Sequence, residues 1–166
     1  MYTSIERFLG DWKYESDSTI KLLNELTDES LDRKITPDGR SLGFLAWHLA
    51  VTIPEMPGKT GLKIEGPGEH DPVPKTVKEI TAGYEKAAKS LAEQVKKDWT
   101  DERLNEEDDM YGEKWKKGAT LMYLNLHQAH HRGQMTVLMR QAGLKVTGVY
   151  GPSKEEWAAY GMEPMK

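Results

Sequence analysis

The 166-residue chain contains no cysteine. Disulfides, thiolate metal sites, iron–sulfur clusters and cysteine nucleophiles are therefore excluded, and any metal must rest on nitrogen or oxygen ligands. The chain also lacks any apolar run of about 18 residues or more, the length a membrane-spanning helix needs. Its opening, MYTSIERFLGDW, has neither the basic start and apolar run nor the small-residue cleavage site of a secretory signal. No membrane association and a cytoplasmic location are expected. A basic stripe is missing too: 23 Lys and Arg are scattered among 27 Asp and Glu, for a net charge of -4. A phosphate backbone finds no landing surface in that pattern, so nucleic acid is not an expected partner. Regularly spaced runs of alternating Val and Ile are absent as well, which points to an all-α class.

What is present is the composition of a globular protein, with 37% hydrophobic and 30% charged residues. The length suits one domain over residues 1–166, and folding at that size buries roughly 70% of the surface the unfolded chain exposes.

Ile5, Phe8, Leu9, Trp12, Ile20 and Leu23 recur at steps of three and four, with Glu6, Arg7, Asp11 and Lys13 between them. This predicts a long amphipathic helix ending near Leu26. A second helix is expected from an N-cap at Ser41 to a stop at Pro54; it is apolar all round, hence buried, and His48 lies in its middle. The Pro- and Gly-rich stretch from Pro54 to Pro74 has no apolar period and is expected to be one loop, of the length that often serves as a lid. Val77, Ile80, Tyr84, Ala88, Leu91 and Val95 mark the inner face of a third helix starting near Lys75. The charged stretch from Thr100 to Lys117 is expected to be a connection over the end of the bundle, without assigned structure. A fourth helix is predicted from about Gly118 to Gln141, with Gly143 as its stop. Ser153 and Glu156 have the capping-box spacing for a short final helix from Ser153 to Tyr160. Together these elements predict an antiparallel four-helix bundle with an additional short C-terminal helix.

The fourth helix holds three of the five histidines. At i and i+4, His127 and His131 share one face and can point at one ion. Laid out at about 100° per residue, the same stripe carries Tyr123 and Gln134. The spacing alone is a weak motif, because Gln128 stands where a metalloprotease would have its glutamate. His48, an imidazole within an apolar helix, needs a partner for its polar nitrogen, and either a metal or a core hydrogen bond supplies one. His70 and His130 are read as exposed or structural.

The segments Ser41-Leu-Gly-Phe-Leu-Ala-Trp-His48-Leu and Asn125-Leu-His127-Gln-Ala-His-His131-Arg-Gly-Gln134 resemble the DinB-like (YfiT-like) family over nearly the whole chain. The resemblance implies a four-helix bundle holding one divalent ion, nickel or zinc first, with iron, manganese or copper as alternatives. Its ligands would be His48, His127 and His131. Some members transfer a low-molecular-weight thiol such as bacillithiol. Two functions follow as expectations. The first is a metal-dependent enzyme, a thiol transferase acting on electrophilic small molecules or a hydrolase, with an external thiol cosubstrate because the chain has no cysteine. Gln134 and Tyr123 are its candidate catalytic residues, orienting the substrate. The second is a non-catalytic metal-binding stress-response or small-ligand-binding protein. A bundle whose histidines merely hydrogen-bond one another is a third reading. A homodimer is also expected, through Met122, Leu126, Gly133 and Val137 on a second apolar strip of the fourth helix.

Overall fold

The structure, a computed structural model, describes residues 1–164; the last two residues of the expected 1–166 domain lie outside the described residues. Four α-helices form a bundle: α1 (Ile5–Leu23), α2 (Leu42–Gly58), α3 (Val77–Asp98) and α4 (Lys117–Gln141). Three short 3-10 segments, Asp28–Ser30, Glu102–Asn105 and Lys154–Tyr160, complete the helical content. α2 packs against α3 and α4, and α1 packs against the same two, so the helices follow one another round the bundle as α1, α3, α2, α4. Consecutive pairs α1/α2 and α3/α4 thus face each other across diagonals. The connections 24–41 and 99–116 cross those diagonals, and 59–76, between neighbours, is equally long.

The caps foreseen from sequence are in place. Ser41 Oγ accepts from the Phe44 amide at 3.1 Å, and Gly143 closes α4 with a φ of 75°, a conformation glycine adopts without a Cβ penalty. The final helix forms as a 3-10 turn in which Glu156 reaches back to the Ser153 amide at 2.9 Å.

Two expectations are corrected. α2 does not stop at Pro54 but runs through Pro54 and Pro57 to Gly58. An interior proline costs a helix roughly 3 kcal/mol, yet continuing it keeps Ile53, Met56 and Pro57 buried. Burying a large apolar side chain such as Met56 returns about 1.5–3 kcal/mol, which offsets part of that cost. The stretch beyond Gly58 lies against the bundle: Trp47 Nε1 donates to Asp71 O at 3.2 Å and Glu65 N to Ser90 Oγ at 2.8 Å.

The charged connection between α3 and α4 folds into a hairpin, so the fold is helical with a small sheet added. Strands β1 (Glu107–Met110) and β2 (Glu113–Lys116) pair antiparallel with Met110 opposite Glu113, leaving Tyr111-Gly112 as a two-residue turn. Both turn residues have positive φ, 59° and 87°, as a primed hairpin turn demands. Met110 is fully buried and anchors the strand pair.

The core is one cluster drawn from all four helices, built on Phe8, Trp12, Leu49, Ile53, Tyr84 and Leu91. Gly83 of α3 makes room for Trp47: a Cβ there would meet the indole at 2.7 Å. Trp47 immediately precedes His48, so this close approach seats α2 and sets the height of the imidazole.

Candidate metal centre

α2 brings His48 to the same place as His127 and His131 of α4. His48 Nε2 lies 3.3 Å from His127 Nε2, and His131 Nε2 lies 3.1 Å from it. The donor atoms of all three lie within 4.8 Å of one another, and the cluster could hold a metal ion. Two imidazole nitrogens bound to one tetrahedral ion at about 2.0–2.1 Å sit roughly 3.3 Å apart. The two pairs that share His127 have that spacing.

The surroundings set which nitrogen of each ring faces inward. Gln134 Oε1 accepts from His131 Nδ1 at 2.8 Å, which puts the proton on Nδ1 and leaves the Nε2 lone pair pointing at the other imidazoles. His48 is stacked on Phe44, ring centroids 5.8 Å apart and planes at 14°. Arg40 covers the same phenyl ring, its Cζ at 4.7 Å. His127 Nδ1 is buried without a hydrogen-bond partner.

All three imidazoles are held neutral. Burial, then the proximity of His131 and Arg40, brings the His48 pKa down to about 4. For His127 burial again comes first, followed by His131, His48 and His130, and its pKa also falls to about 4. His131 is lowered chiefly by burial, against the opposing bond to Gln134. Neutral imidazoles with inward lone pairs are the form a divalent cation requires.

The site opens on a cleft of about 540 Å³. Its walls are Glu55 and Met56 of α2, Tyr111 and Trp115 of the hairpin, and Tyr123 and Leu126 of α4, with His48 and His127 at the base and Thr52 and His130 also in the lining. Tyr111 Oη donates to Glu55 at 2.8 Å, and Lys59 pairs with the same carboxylate at 3.3 Å, so the hairpin tip is fastened to the end of α2. A bulky residue with positive φ is uncommon; here the bond to Glu55 accompanies it.

Of the residues singled out from sequence, the three ligand candidates meet, and Tyr123 lies on the cleft wall. Gln134 does not reach the cleft; it bridges His131 and His130, its Nε2 lying 3.0 Å from His130 Nε2, beside a second groove lined by Arg40. Two residues inside the last motif were not anticipated. Gln128 is fully buried, accepting from Tyr84 Oη at 3.0 Å and donating to Leu49 O at 3.0 Å, which ties α4 to α3 and α2. Arg132, 2% exposed, pairs with Glu15, donates to Thr19 Oγ1 at 3.0 Å and meets Tyr150. It thereby fastens α4 to α1 and to the C-terminal segment. Leu121, Leu124 and Met135, in one row with both at steps of three and four, would have signalled burial, but not their partners.

A helical bundle presenting three inward imidazoles from two helices defines the class. Residues 1–165 match the DinB family, and the chain belongs to it. The uncharacterized protein YrdA of Bacillus subtilis strain 168 is 46% identical over 166 residues, covering 100% of this chain and 99% of YrdA. The crystal structure of a DinB-like protein from Bacillus cereus ATCC 10987, 49% identical, superposes with a TM-score of 0.87 over 90% of this chain and 100% of that one. The DinB-like protein YjoA of Bacillus subtilis, at 17% identity, shares the fold with a TM-score of 0.66, over 89% of this chain and 99% of its own. Family membership and the three-histidine cluster are compatible with a metal-binding protein. No helix among the described residues is long and apolar enough to cross a membrane.

Proposed function

We propose that the protein is a metal-dependent enzyme that transfers an external low-molecular-weight thiol to an electrophilic small molecule, with His48, His127 and His131 as ligands of one divalent ion. The observation that carries this reading is the number of donors. Among the described residues the cluster contains three and no fourth, and closed structural zinc sites use four, whereas catalytic ones use three and keep a position open. A mere clamp has no need of that vacancy or of a cleft leading to it.

The hydrogen-bonded alternative is weaker on the same geometry. His127 Nε2 faces both His48 Nε2 and His131 Nε2, and a single N–H directs itself well to only one of them. A cation satisfies all three lone pairs at once. Nickel or zinc suits an all-imidazole set, and iron, manganese or copper are the alternatives.

Such an ion supplies Lewis acidity, which brings an incoming thiol or water to its conjugate base near neutral pH. The residues do the rest. Gln134 keeps the His131 lone pair inward, Phe44 fixes the plane of His48, and the cleft positions the electrophile with Tyr123 at its wall. The sulfur of the thiol then attacks the electrophilic carbon, a carbon–sulfur bond forms, and the leaving group departs with its bonding pair. Hydrolysis would use the same positions with water in place of the thiol. The setting we propose is cytoplasmic, where low-molecular-weight thiols stay reduced. We also propose a homodimer through α4, on which Leu126 and Val137 are exposed and Gly133 has open space beside it.

The test is turnover by protein loaded with one equivalent of zinc or nickel, given a bacillithiol-like thiol and an aromatic electrophile. The expected result is thioether formation that His48→Ala abolishes. Absence of both thiol transfer and hydrolysis would reject the enzyme in favour of a metal-binding stress-response or ligand-binding protein.

A further inference from the structure

The cleft over the histidines is not a general opening; its walls select. Three of the exposed large apolar side chains of the protein, Tyr111, Tyr123 and Leu126, gather on this one cleft. Trp115 joins them, its ring 4.7 Å from Tyr123 and 5.9 Å from Tyr111. The three aromatic residues line one side as a continuous run of rings, and Met56 adds a polarizable, deformable side chain to the lining. Stacked and edge-on aromatic contacts favour flat partners.

Charge decides which flat molecules fit. The one carboxylate on the cleft, Glu55, already accepts from Tyr111 Oη at 2.8 Å and 3.0 Å and pairs with Lys59 at 3.3 Å. The Lys59 ammonium also sits over the Tyr111 ring, 4.9 Å from its centroid. A cationic ligand would thus find the available carboxylate neutralised and one aromatic face already taken by a cation. In the metal-free protein an anionic ligand would find no lysine or arginine among the lining residues, Lys59 lying beside them and paired with Glu55. The volume, about 540 Å³, lies within the range of small-molecule sites.

We infer that the cleft is the binding site for a neutral, planar aromatic or conjugated molecule, stacked on the Trp115–Tyr123 wall with one edge toward His48 and His127. This names the class of electrophile for the activity proposed above and rests on that reading for its catalytic meaning. The binding itself requires neither metal nor turnover. Tyr123 and Trp115 are specificity-determining residues in this assignment, and the hairpin exists at the site to supply one of them.

The experiment is calorimetric titration of the full chain, metal-free and metal-loaded, with 1,3-dinitrobenzene, with the ions benzoate and benzyltrimethylammonium, and with saturated cyclohexanone. Saturable binding of 1,3-dinitrobenzene at one site is expected with and without metal, and in the metal-free protein both ions and cyclohexanone are weaker by about fivefold or more, the order of magnitude one lost aromatic contact carries. Trp115→Ala and Tyr123→Ala should each weaken 1,3-dinitrobenzene by a similar factor, while Trp115→Phe restores most of the affinity. Because Trp115→Ala could disturb the hairpin, Tyr123→Ala, on the regular helix α4, provides the decisive variant. Benzoate or the ammonium ion binding the metal-free protein as tightly as 1,3-dinitrobenzene would overturn the inference, and so would affinity unchanged in Tyr123→Ala. If binding behaves as described while loaded protein turns nothing over, the catalytic proposal fails and the site stands; if turnover occurs without aromatic preference, the reverse holds.

Discussion

Gln134 Oε1 accepts a 2.8 Å hydrogen bond from Nδ1 of His131, one helical turn back on α4. The bond makes the histidine's inward nitrogen a lone pair by construction, so Gln134 acts on the metal centre through His131. Gln134→Leu should leave the helical circular dichroism unchanged and weaken zinc or nickel affinity about tenfold to a hundredfold, the usual consequence of losing such a supporting bond. Competition against a chromophoric chelator measures it. Unchanged affinity would show that the tautomer is set elsewhere.

Metal should stabilise the fold, because two of the ligands come from α4 and the third from α2. At a free metal concentration of about 100 times Kd, binding adds roughly 2.7 kcal/mol, equivalent to an increase in Tm of about 5–10 °C for a chain of this length. His48→Ala and His127→Ala should each abolish the increase, and added chelator should reverse it in the parent protein. Differential scanning calorimetry with metal analysis reads both.

The metal-free protein should weaken toward acid. His48 and His127 titrate at about 4 when folded and near 6.5 when unfolded, so the unfolded chain binds more protons between those values. Stability therefore rises with pH across that window. The contribution is fully present above about pH 6.5 and is lost as the pH falls through about 4. Urea midpoints measured from pH 7 to pH 4 should fall more steeply for the parent than for a His48→Asn/His127→Asn double variant.

Arg132→Ala should destabilise the protein by about 3–5 kcal/mol, since it leaves the Glu15 carboxylate, 12% exposed, without its partner. The loss would be accompanied by loosening of the C-terminal segment, because Arg132 also donates to Tyr150 Oη at 2.6 Å. Urea denaturation monitors the first effect and limited proteolysis beyond Gly143 the second. Glu15→Gln should cost less, because its amide oxygen still accepts from Arg132.

The helices were legible because each has a periodic apolar face and recognisable ends, as at Ser41 and Gly143. The pair His127 and His131 was legible for the same local reason, one turn apart on one face. His48 was not, for it lies 79 positions from His127, and only the resemblance of its segment to a known family joined them in advance. Pro54 misled because local proline geometry opposes a helix that burial of Ile53 and Met56 sustains. The hairpin escaped because its strands, EDDM and EKWK, are four residues each and largely charged, with Met110 alone fully buried. A site wall was thereby hidden in what looked like a solvated connection.

β2 ends at Lys116 and α4 begins at Lys117, so the Trp115 ring is delivered by the residues immediately ahead of the helix that bears two of the histidines. The imidazoles depend on bundle packing, whereas Trp115 and Tyr111 depend on a local detail, a two-residue turn and its clasp on Glu55. A lengthened or re-registered hairpin would swing those rings elsewhere and leave the three nitrogens undisturbed. The molecule thus separates a fixed histidine cluster from an exchangeable fitting above it, and a change in the hairpin can alter what the cleft accepts without altering the three nitrogens beneath.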